Sequence, residues 1–179
     1  MKRLFFALWP DDCVRKQCAH LIKSLPVGNG RPIKPDNIHV TLVFLGSVDS
    51  DLEAKIVSAA DALRSSPVSV VFDRLSYWRK PAIVCLTSSQ PDTRLIELAE
   101  QLTSMVSSFG HAVDERPFAA HVTLLKKIGH APAMQAFEPI VWSADRFCLV
   151  ESCALPEGGV DYRIVQSWSL IDAERNGKA

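Results

Sequence analysis

Neither sign of charge is in excess in this 179-residue chain, because 20 lysine and arginine residues balance 20 aspartate and glutamate residues. The sequence therefore lacks the overall positive field that holds many proteins on long nucleic acids. If RNA is a partner, a local group of residues must hold it. A small or terminal substrate fits such a chain better than a long strand.

Long apolar segments are also missing. The first residues, MKRLFFALWPDD, place only six apolar residues between two cations and a proline that is followed by two acids. That run is too short for a signal peptide or a membrane span, and we interpret it as a strand. We expect a cytoplasmic protein with no membrane partner.

Cysteine is present, but not at the spacing of a metal site or a redox motif. The five cysteines form no C-x-x-C pair, and no histidine accompanies them at the spacing of a zinc site. Their odd number favours reduced thiols. We expect neither a metal nor a cofactor. The cysteines are Cys13, Cys18, Cys85, Cys148 and Cys153.

The composition that remains is that of a globular domain, with 47% hydrophobic and 22% charged residues. Periodicity and capping signals predict three helices, which begin at Pro10, at Asp49 or Ser50 and at Pro91, and end before Pro26, near Leu63 and near Gly110. Strands are predicted at Lys2–Trp9, Ile38–Leu45, Val68–Val71, Ala82–Leu86, His121–Lys126, Phe137–Trp142, Arg146–Ser152 and Tyr162–Leu170. We expect Gly46 to end the second strand, and Ser76–Pro81 to connect the third and fourth as a hairpin.

Strands in groups with few helices indicate an α+β fold rather than a doubly wound sheet. No low-complexity linker divides the chain, so we expect one domain over residues 1–179.

An internal repeat carries most of the functional information. Residues 34–42 read KPDNIHVTL and residues 116–124 read RPFAAHVTL, so a basic residue, a proline and three variable residues precede H-V-T-L in both. The two copies are 82 positions apart, close to half the chain. Such a match indicates duplication, which predicts two related lobes with a pseudo-two-fold axis between them.

Strand geometry indicates what the repeat presents. Side chains alternate between the faces of a strand, so His39 and Thr41 share one face, as do His121 and Thr123. The valine and leucine of each motif point the other way, into the core. If the axis brings the two polar faces together, the cleft between the lobes holds two imidazoles and two hydroxyls.

Such a group of side chains suits phosphodiester hydrolysis. A neutral imidazole removes a proton from water, while a protonated one donates to the departing oxygen; the ordinary histidine pKa, near 6.5, allows both. The threonine hydroxyls can donate to the phosphate oxygens. A strained cyclic phosphate needs less assistance than an ordinary diester, so no metal is required.

Two alternatives are weaker. A single histidine on a strand is usually structural, but the repeat places two in the same context, each with threonine at the same offset, which favours catalysis. For a zinc site, each motif supplies only one ligand, its histidine, and no carboxylate or cysteine is placed to complete the site.

These motifs resemble those of the bacterial RNA 2′,3′-cyclic phosphodiesterases, also called 2′-5′ RNA ligases, of the two-histidine (2H) phosphoesterase superfamily. The family signature is a pair of H-x-T/S-x motifs, matched by HVTL at His39 and again at His121. The resemblance extends along the chain, at Arg3–Ala7, Phe44–Gly46, Arg116–Phe118 and Trp168.

The resemblance implies a bilobal α+β fold, with two antiparallel sheets and flanking helices around a central cleft. It implies hydrolysis of an RNA terminal 2′,3′-cyclic phosphate, or of a cyclic nucleotide, to a 2′-phosphomonoester, and in some members reversible 2′-5′ RNA ligation. It makes His39 the proton donor and His121 the proton acceptor, an order that the nearly symmetric motifs leave open. We expect a monomer.

Phe44 and Lys126 each follow their motif histidine by five residues, so they are equivalent in the repeat. An aromatic face and a cation could together hold the terminal base. If side chains alternate strictly, however, a residue five positions after the histidine lies on the core face. A bulge or a strand end is therefore needed to bring it to the cleft. Otherwise Phe44 is a core residue and Lys126 a solvated strand end. Members of the family that the chain resembles often carry arginine at the position of Lys126.

Two other functions stay open. One is a nucleotide- or RNA-binding module without turnover, against which the intact histidines and threonines argue. The other is a neighbouring 2H activity, on an ADP-ribose cyclic phosphate or a 2′-5′ oligoadenylate, which would use the same cleft chemistry.

Overall fold

The computed structural model describes residues 1–114, 116–133 and 135–171. None of the helices in these ranges has the length and apolar character needed to cross a membrane. Along the described chain, the helices are α1 (Asp12–Ser24), α2 (Ser50–Ala62) and α3 (Thr93–Ser107), with a 3₁₀ turn at Pro35–Asn37. The strands are β1 (Lys2–Leu8), β2 (Arg31–Pro32), β3 (Val40–Val48), β4 (Val68–Phe72), β5 (Arg74–Trp78), β6 (Ile83–Thr87), β7 (His121–Lys126), β8 (Ile140–Ala144), β9 (Arg146–Ala154) and β10 (Val160–Ser169).

These strands form two antiparallel sheets. The larger has the order β10-β9-β1-β3-β7-β6-β5, with β2 paired to β7, and the smaller consists of β4 and β8. The predicted α+β class with antiparallel sheets is confirmed. The larger sheet has two arms, since β3 and β7 share a single paired position, Val40 with Val122.

This single pair lies on the pseudo-two-fold axis. Val40 and Val122 are equivalent residues of the repeat, 82 positions apart. Each also pairs outward with a leucine, Leu8 of β1 and Leu86 of β6. The duplicated unit is therefore a strand, a helix and a strand, β1-α1-β3 and β6-α3-β7. Because equivalent residues of the two units face each other across an antiparallel ladder, a local two-fold axis passes between them.

Each helix begins within two residues of its predicted start, at Asp12, Ser50 and Thr93. Asp11, Asp49 and Asp92 are the N-caps, and their side chains accept hydrogen bonds from the main-chain N–H groups of Val14, Leu52 and Arg94. An acid at this position satisfies one of the free N–H groups of the first turn. The helices cover the core with the apolar faces expected from their periodicity, and the buried residues of α1 are Val14, Cys18, Leu21 and Ile22.

One main cluster of buried side chains draws on both arms of the large sheet, on the small sheet and on all three helices. Its largest members are Trp142, Phe6, Phe72 and Phe147. Trp168 packs against this cluster, and its indole N–H donates to Asp61 at 2.6 Å. Its match to the family therefore reflects packing rather than chemistry.

The predicted hairpin between Val68–Val71 and Ala82–Leu86 is wrong in its pairing. The first of these segments, β4, pairs with β8, whereas β6 pairs with β5. Ser76, Tyr77 and Trp78 belong to β5, and the turn lies just after them. The serine and arginine in β5 are typical of a loop. The segment is nevertheless a strand, because it pairs with its neighbour β6, and composition alone does not reveal that pairing.

Gly46 also does not end its strand. β3 continues to Val48, and Gly46 has φ +70°, a conformation that glycine adopts without steric cost. Leu4 pairs with Gly46 and Phe5 with Phe44, so Leu45 is an extra residue in a bulge. The glycine therefore bends the strand and does not stop it.

The strand predicted at Phe137–Trp142 is shifted along the chain. Its place is taken by β8, Ile140–Ala144, which pairs throughout its length with β4. The alternation of buried and exposed residues begins only at Ile140. The prolyl residue just before it, Pro139, cannot donate to a ladder and so marks the start of the strand.

Candidate active site

The two motif histidines lie where the arms of the large sheet join. His39 immediately precedes β3 and His121 is the first residue of β7. Continuing the register of the Val40–Val122 pair places His39 across from Thr123, and Thr41 across from His121. The four predicted motif residues are thus brought together on one face, at the centre of the sheet.

Each histidine ring is held in the same way. The Nδ1 atom of His39 lies 2.7 Å from the carbonyl oxygen of Asn37, and that of His121 lies 2.8 Å from the carbonyl oxygen of Ala119. A carbonyl oxygen only accepts hydrogen bonds, so Nδ1 carries the proton in both rings. The Nε2 atom is therefore the one left to exchange protons, and that of His39 lies 3.1 Å from the Thr41 hydroxyl.

Paired bulges bring Phe44 and Lys126 to the same face. Phe6 pairs with Val43 but Ala7 with Thr41, so Leu42 is an extra residue in β3. In β7, Val84 pairs with Leu125 but Cys85 with Thr123, so Leu124 is extra. The two extra leucines are equivalent in the repeat, and each shifts the alternation by one residue.

As a result, neither residue at offset five is in the core. Phe44 is 42% exposed and contributes to the cleft wall, and Lys126 is exposed beside His39. The guanidinium carbon of Arg3 lies 5.0 Å from the centre of the Phe44 ring, within cation–π range. The structure therefore supplies the bulge that a base-binding role for this pair requires.

The cleft consists of three adjoining cavities. A central one of about 160 Å³ is lined by His39, Thr41, Thr123 and Lys126. A second, of about 240 Å³, shares three of these residues and extends to Phe44. A third, of about 690 Å³, begins at Thr41 and His121 on the other side. The centre is polar, and a larger space opens on either side of it.

Aromatic rings surround His39. Its ring centre lies 5.1 Å from that of Phe5, 5.7 Å from that of Trp9 and 5.0 Å from that of Tyr162. Burial, together with the positive charges of Lys126 and His121, lowers the pKa of His39 to about 4, against the opposing effect of the hydrogen bond to the Asn37 carbonyl. With this pKa, His39 is uncharged at neutral pH.

His121 packs against the aromatic ring of Trp78, whose centre lies 4.5 Å from that of the imidazole. Burial lowers the pKa of His121 as well, against the hydrogen bond to the Ala119 carbonyl. Both imidazoles therefore favour the neutral form until an anion arrives. A phosphate between them favours a protonated imidazole, so the proton for a donor is stabilised when substrate binds.

Sequence reasoning missed several residues around the histidines. Asn37 is buried; its carbonyl holds His39, and its side-chain amide donates to the Val160 carbonyl of β10 at 2.9 Å. The equivalent position in the second copy is Ala119, so the repeat gave no signal for it. Trp9, Trp78 and Tyr162 come from outside the motifs, and only the folded sheet places them at the site.

Four further cations lie close to the motifs in the sequence, and each is either a candidate for an RNA backbone contact or a surface charge: Arg31, Lys34, Arg116 and Lys127. Arg116 is occupied by a two-pronged ion pair with Asp114, with Nε 2.9 Å from both carboxylate oxygens. The backbone of Arg31 pairs with that of Lys126. Lys34 caps the 3₁₀ turn, and Lys127 has a positive φ of 60°. Of the four, only Arg116 lines the cleft.

Among the described residues, no group of three or more histidine, cysteine or acidic side chains is arranged to hold a metal ion. The cysteines, all of them free thiols, are likewise not gathered at the cleft.

An internally repeated antiparallel fold with an H-x-T motif from each copy at the join defines a two-histidine phosphoesterase. Residues 17–153 match the family model of the 2′-5′ RNA ligase superfamily. The chain belongs to this family.

The relatives extend over nearly the whole chain. The RNA 2′,3′-cyclic phosphodiesterase of Escherichia coli (strain K12) is 31% identical, covering 94% of this chain and 97% of that protein. The protein of the same name from Thermotoga maritima is 29% identical, covering 91% and 92%. E. coli LigT complexed with 3′-AMP has a TM-score of 0.88 at 31% identity, covering 94% of this chain and 98% of that chain. A crystal structure of a phosphoesterase reaches 0.90 at 30% identity, covering 96% and 99%.

The threonine hydroxyls give a prediction that separates chemistry from folding. Changing Thr41 or Thr123 to valine keeps the shape of the side chain and removes its hydroxyl, so we expect kcat/KM on a cyclic nucleotide to fall about 10- to 100-fold. Unfolding free energy should change by less than about 1 kcal/mol, because both side chains face the cleft. Thr→Ser variants, which keep the hydroxyl, are the matched controls. Loss of the fold with valine at either position contradicts the assigned strand face.

Proposed function

We propose that this protein hydrolyses the 2′,3′-cyclic phosphate at RNA ends, or of free nucleotides, to a 2′-phosphomonoester. The observation that carries the proposal is the matched pair of histidines, each with Nδ1 bound to a carbonyl two residues earlier and Nε2 left for proton exchange. The names of the relatives support the same reaction.

In the proposed mechanism, His121 accepts a proton from water through Nε2 as the water oxygen bonds to phosphorus. The bond between phosphorus and the ribose 3′ oxygen breaks, and His39 donates a proton to that oxygen. Each transfer is worth about 10²–10⁴ in rate. Thr41 and Thr123 donate hydrogen bonds to the phosphate oxygens, where negative charge develops.

The nucleoside is placed on the Phe44 side of the phosphate. Phe44 with Arg3 offers an aromatic and cationic surface that tolerates any base. Lys126 lines the same cavity and supplies positive charge close to the phosphate. That E. coli LigT was crystallised with 3′-AMP, a nucleotide with phosphate on the ribose, supports a site for one nucleoside and one phosphate.

The proposed mechanism needs residues of one chain only, and we expect the protein to act as a monomer and as a single unit over residues 1–179. The cysteines, all free, support the cytoplasmic setting expected from the sequence. The neutral overall charge supports terminal or small substrates over long RNA.

A panel of nucleoside 2′,3′-cyclic phosphates, assayed with excess chelator, tests the function. We expect turnover to a 2′-phosphomonoester, identified by comparing its chromatographic retention time with those of 2′- and 3′-monophosphate standards. The rate should be the same with and without chelator. Binding without turnover would indicate the binding-module alternative. Turnover only of an ADP-ribose cyclic phosphate or a 2′-5′ oligoadenylate would indicate a neighbouring 2H activity. Complete loss with chelator and recovery with a divalent ion would replace the two-histidine mechanism with a metal-dependent one.

A further inference from the structure

Asn37 stands out because it is polar and buried. Among the residues that the structure describes, it is the single polar or charged residue that is buried, with 9% of its surface exposed. A buried amide costs free energy unless its hydrogen bonds are made. The bonds that this amide makes therefore indicate what it does.

Three hydrogen bonds of Asn37 join the elements around His39. The side-chain amide donates to the carbonyl oxygen of Val160 at 2.9 Å, and the main-chain carbonyl accepts from Nδ1 of His39 at 2.7 Å. The main-chain N–H donates to the Lys34 carbonyl at 2.9 Å. Val160 is the first residue of β10, 123 positions along the chain from Asn37. One residue therefore joins the 3₁₀ turn, the ring of His39 and β10.

The strand that this amide holds forms a wall beside His39. Tyr162 follows Val160 by two residues on β10, and its ring centre lies 5.0 Å from that of His39, with the two rings almost perpendicular at 81°. Trp9, just after β1, lies almost parallel to the imidazole, at 5.7 Å and 9°. The hydrogen bond from the amide to Val160 therefore fixes the Tyr162 side of this aromatic surround relative to the carbonyl that holds the imidazole.

The second copy of the repeat shows what the amide is not needed for. Ala119 occupies the position equivalent to Asn37 and is exposed, yet its carbonyl oxygen lies 2.8 Å from Nδ1 of His121, and β7 follows as β3 does in the first copy. Neither the motif strand nor the bond to Nδ1 thus requires an amide side chain. The amide serves the copy that contains His39.

We propose that Asn37 is a positioning residue for the proton transfer at His39. Its amide anchors the peptide group that holds Nδ1 of His39 to β10, so that Nε2 points at the phosphate in one orientation. The inference rests on the proposed function, because it assigns a role in the same reaction. A misplacement of about 1 Å at a reacting group can lower the rate about 10²-fold, so one buried hydrogen bond is enough to affect catalysis.

This role differs from a role in folding alone. Without the amide, the Val160 carbonyl lacks its donor, and water enters between the 3₁₀ turn and β10 to replace it. The peptide group that holds His39 then moves more freely, and the proton is no longer confined to Nδ1. Contact with water favours the protonated imidazole, so the pKa of His39 rises from about 4 toward its ordinary value. A residue that only stabilises the fold changes neither the tautomer nor this pKa.

The charged and titratable groups around His39 are the same with and without the amide. They are Lys126 and His121 of β7, Tyr162 of β10 and Arg3 of β1. The first two lower the pKa of His39 through their charge. Because Asn37→Ala removes none of these groups, a change in the titration of His39 reports on the hydration and orientation of its own ring.

The test uses the whole protein, with Asn37→Ala as the main variant. Asn37→Ser, which leaves a smaller gap, is the second, and Asn29→Ala, the same change at an exposed position, is the matched control. Chemical denaturation shows which variants fold. The first readout is ¹⁵N NMR of the histidine rings, which distinguishes the two tautomers and follows their titration without substrate; the His39 signals are those missing from His39→Ala. The second is the pH dependence of kcat and KM on adenosine 2′,3′-cyclic phosphate.

We expect the wild type and Asn29→Ala to hold His39 with its proton on Nδ1. Both Asn37 variants should show a mixture of tautomers and a His39 titration midpoint about one pH unit higher. Their kcat should fall about 10- to 100-fold. KM should change less than about threefold, because Phe44 and Arg3, which are proposed to hold the base, lie on β3 and β1. The limb of the pH profile that His39 sets should move to higher pH together with the NMR titration.

Three results would overturn the inference while leaving the hydrolase intact. A folded Asn37 variant with the wild-type tautomer, titration and kcat would make the amide a part of the fold alone. A loss confined to KM would assign the amide to the nucleoside cavity instead. Failure of both variants to fold would show that the fold itself requires the amide. If the wild type turns over no cyclic phosphate, the proposed function fails and the role in that reaction fails with it, whereas the NMR readout still shows whether Asn37 fixes the ring.

Discussion

Replacing His39 or His121 with alanine is expected to lower kcat/KM for a cyclic nucleotide by about 10²–10⁴. Each ring is fixed by a hydrogen bond from Nδ1 to a main-chain carbonyl, so its Nε2 atom is presented to the same cleft in the same protonation form. In the proposed mechanism, removing either ring takes away one of the two proton transfers around one phosphorus atom. The measurement is steady-state kinetics on a nucleoside 2′,3′-cyclic phosphate.

The double variant distinguishes concerted action from two independent contributions. If the histidines act as a unit, removing both should cost much less than the product of the single losses. His20→Ala and His130→Ala, at exposed positions away from the cleft, are matched controls and should retain full activity. Wild-type activity in either His39→Ala or His121→Ala would end the two-histidine proposal.

A substrate with an acidic leaving oxygen is expected to restore the donor variant selectively. Catechol cyclic phosphate has the same five-membered ring, but its leaving group is a phenol with a pKa of about 10, as in tyrosine, so its departure depends less on protonation. The His39→Ala loss of about 10²–10⁴ should largely disappear with this substrate. The loss in His121→Ala should remain, because activation of water is still needed.

This experiment separates the two roles because the lowered pKa of His39 runs against the donor role expected for it. The pKa of His39 is lowered to about 4, mainly by burial. A donor at that position receives its proton together with the phosphate anion. Selective restoration of His121→Ala would assign the donor role to His121 and make His39 the acceptor.

The sequence predicted the elements that follow from local patterns. The three helices are confirmed because aspartate caps and apolar periodicity act within a few residues. The repeat predicted two units and a polar face shared by histidine and threonine. The repeat is read directly from the sequence, and the shared face follows from the alternation within each motif. The fold has the repeat and the shared face as expected.

What could not be predicted depends on partners that are distant in sequence. The bulges at Leu42 and Leu124 are defined by the strands beside them, and without them Phe44 and Lys126 point into the core. Tyr162 reaches His39 only because β10 and β9 extend the arm that contains β1 and β3. Similarly, the composition of β5 alone predicts a loop, and only its pairing with β6 makes it a strand.

The join at Val40 and Val122 has a consequence for how such a site arises. A two-fold axis through an antiparallel pair is the symmetry of a homodimer, in which each subunit contributes one histidine to a shared centre. In a homodimer, however, every substitution appears on both sides of the axis. Placing both copies in one chain removes that restriction, so equivalent positions can hold different residues. Asn37 corresponds to Ala119, and Phe44 corresponds to Lys126. In the proposed mechanism, one phosphate then meets two different halves, a proton donor beside the nucleoside and a proton acceptor beside the incoming oxygen, which two identical subunits cannot provide.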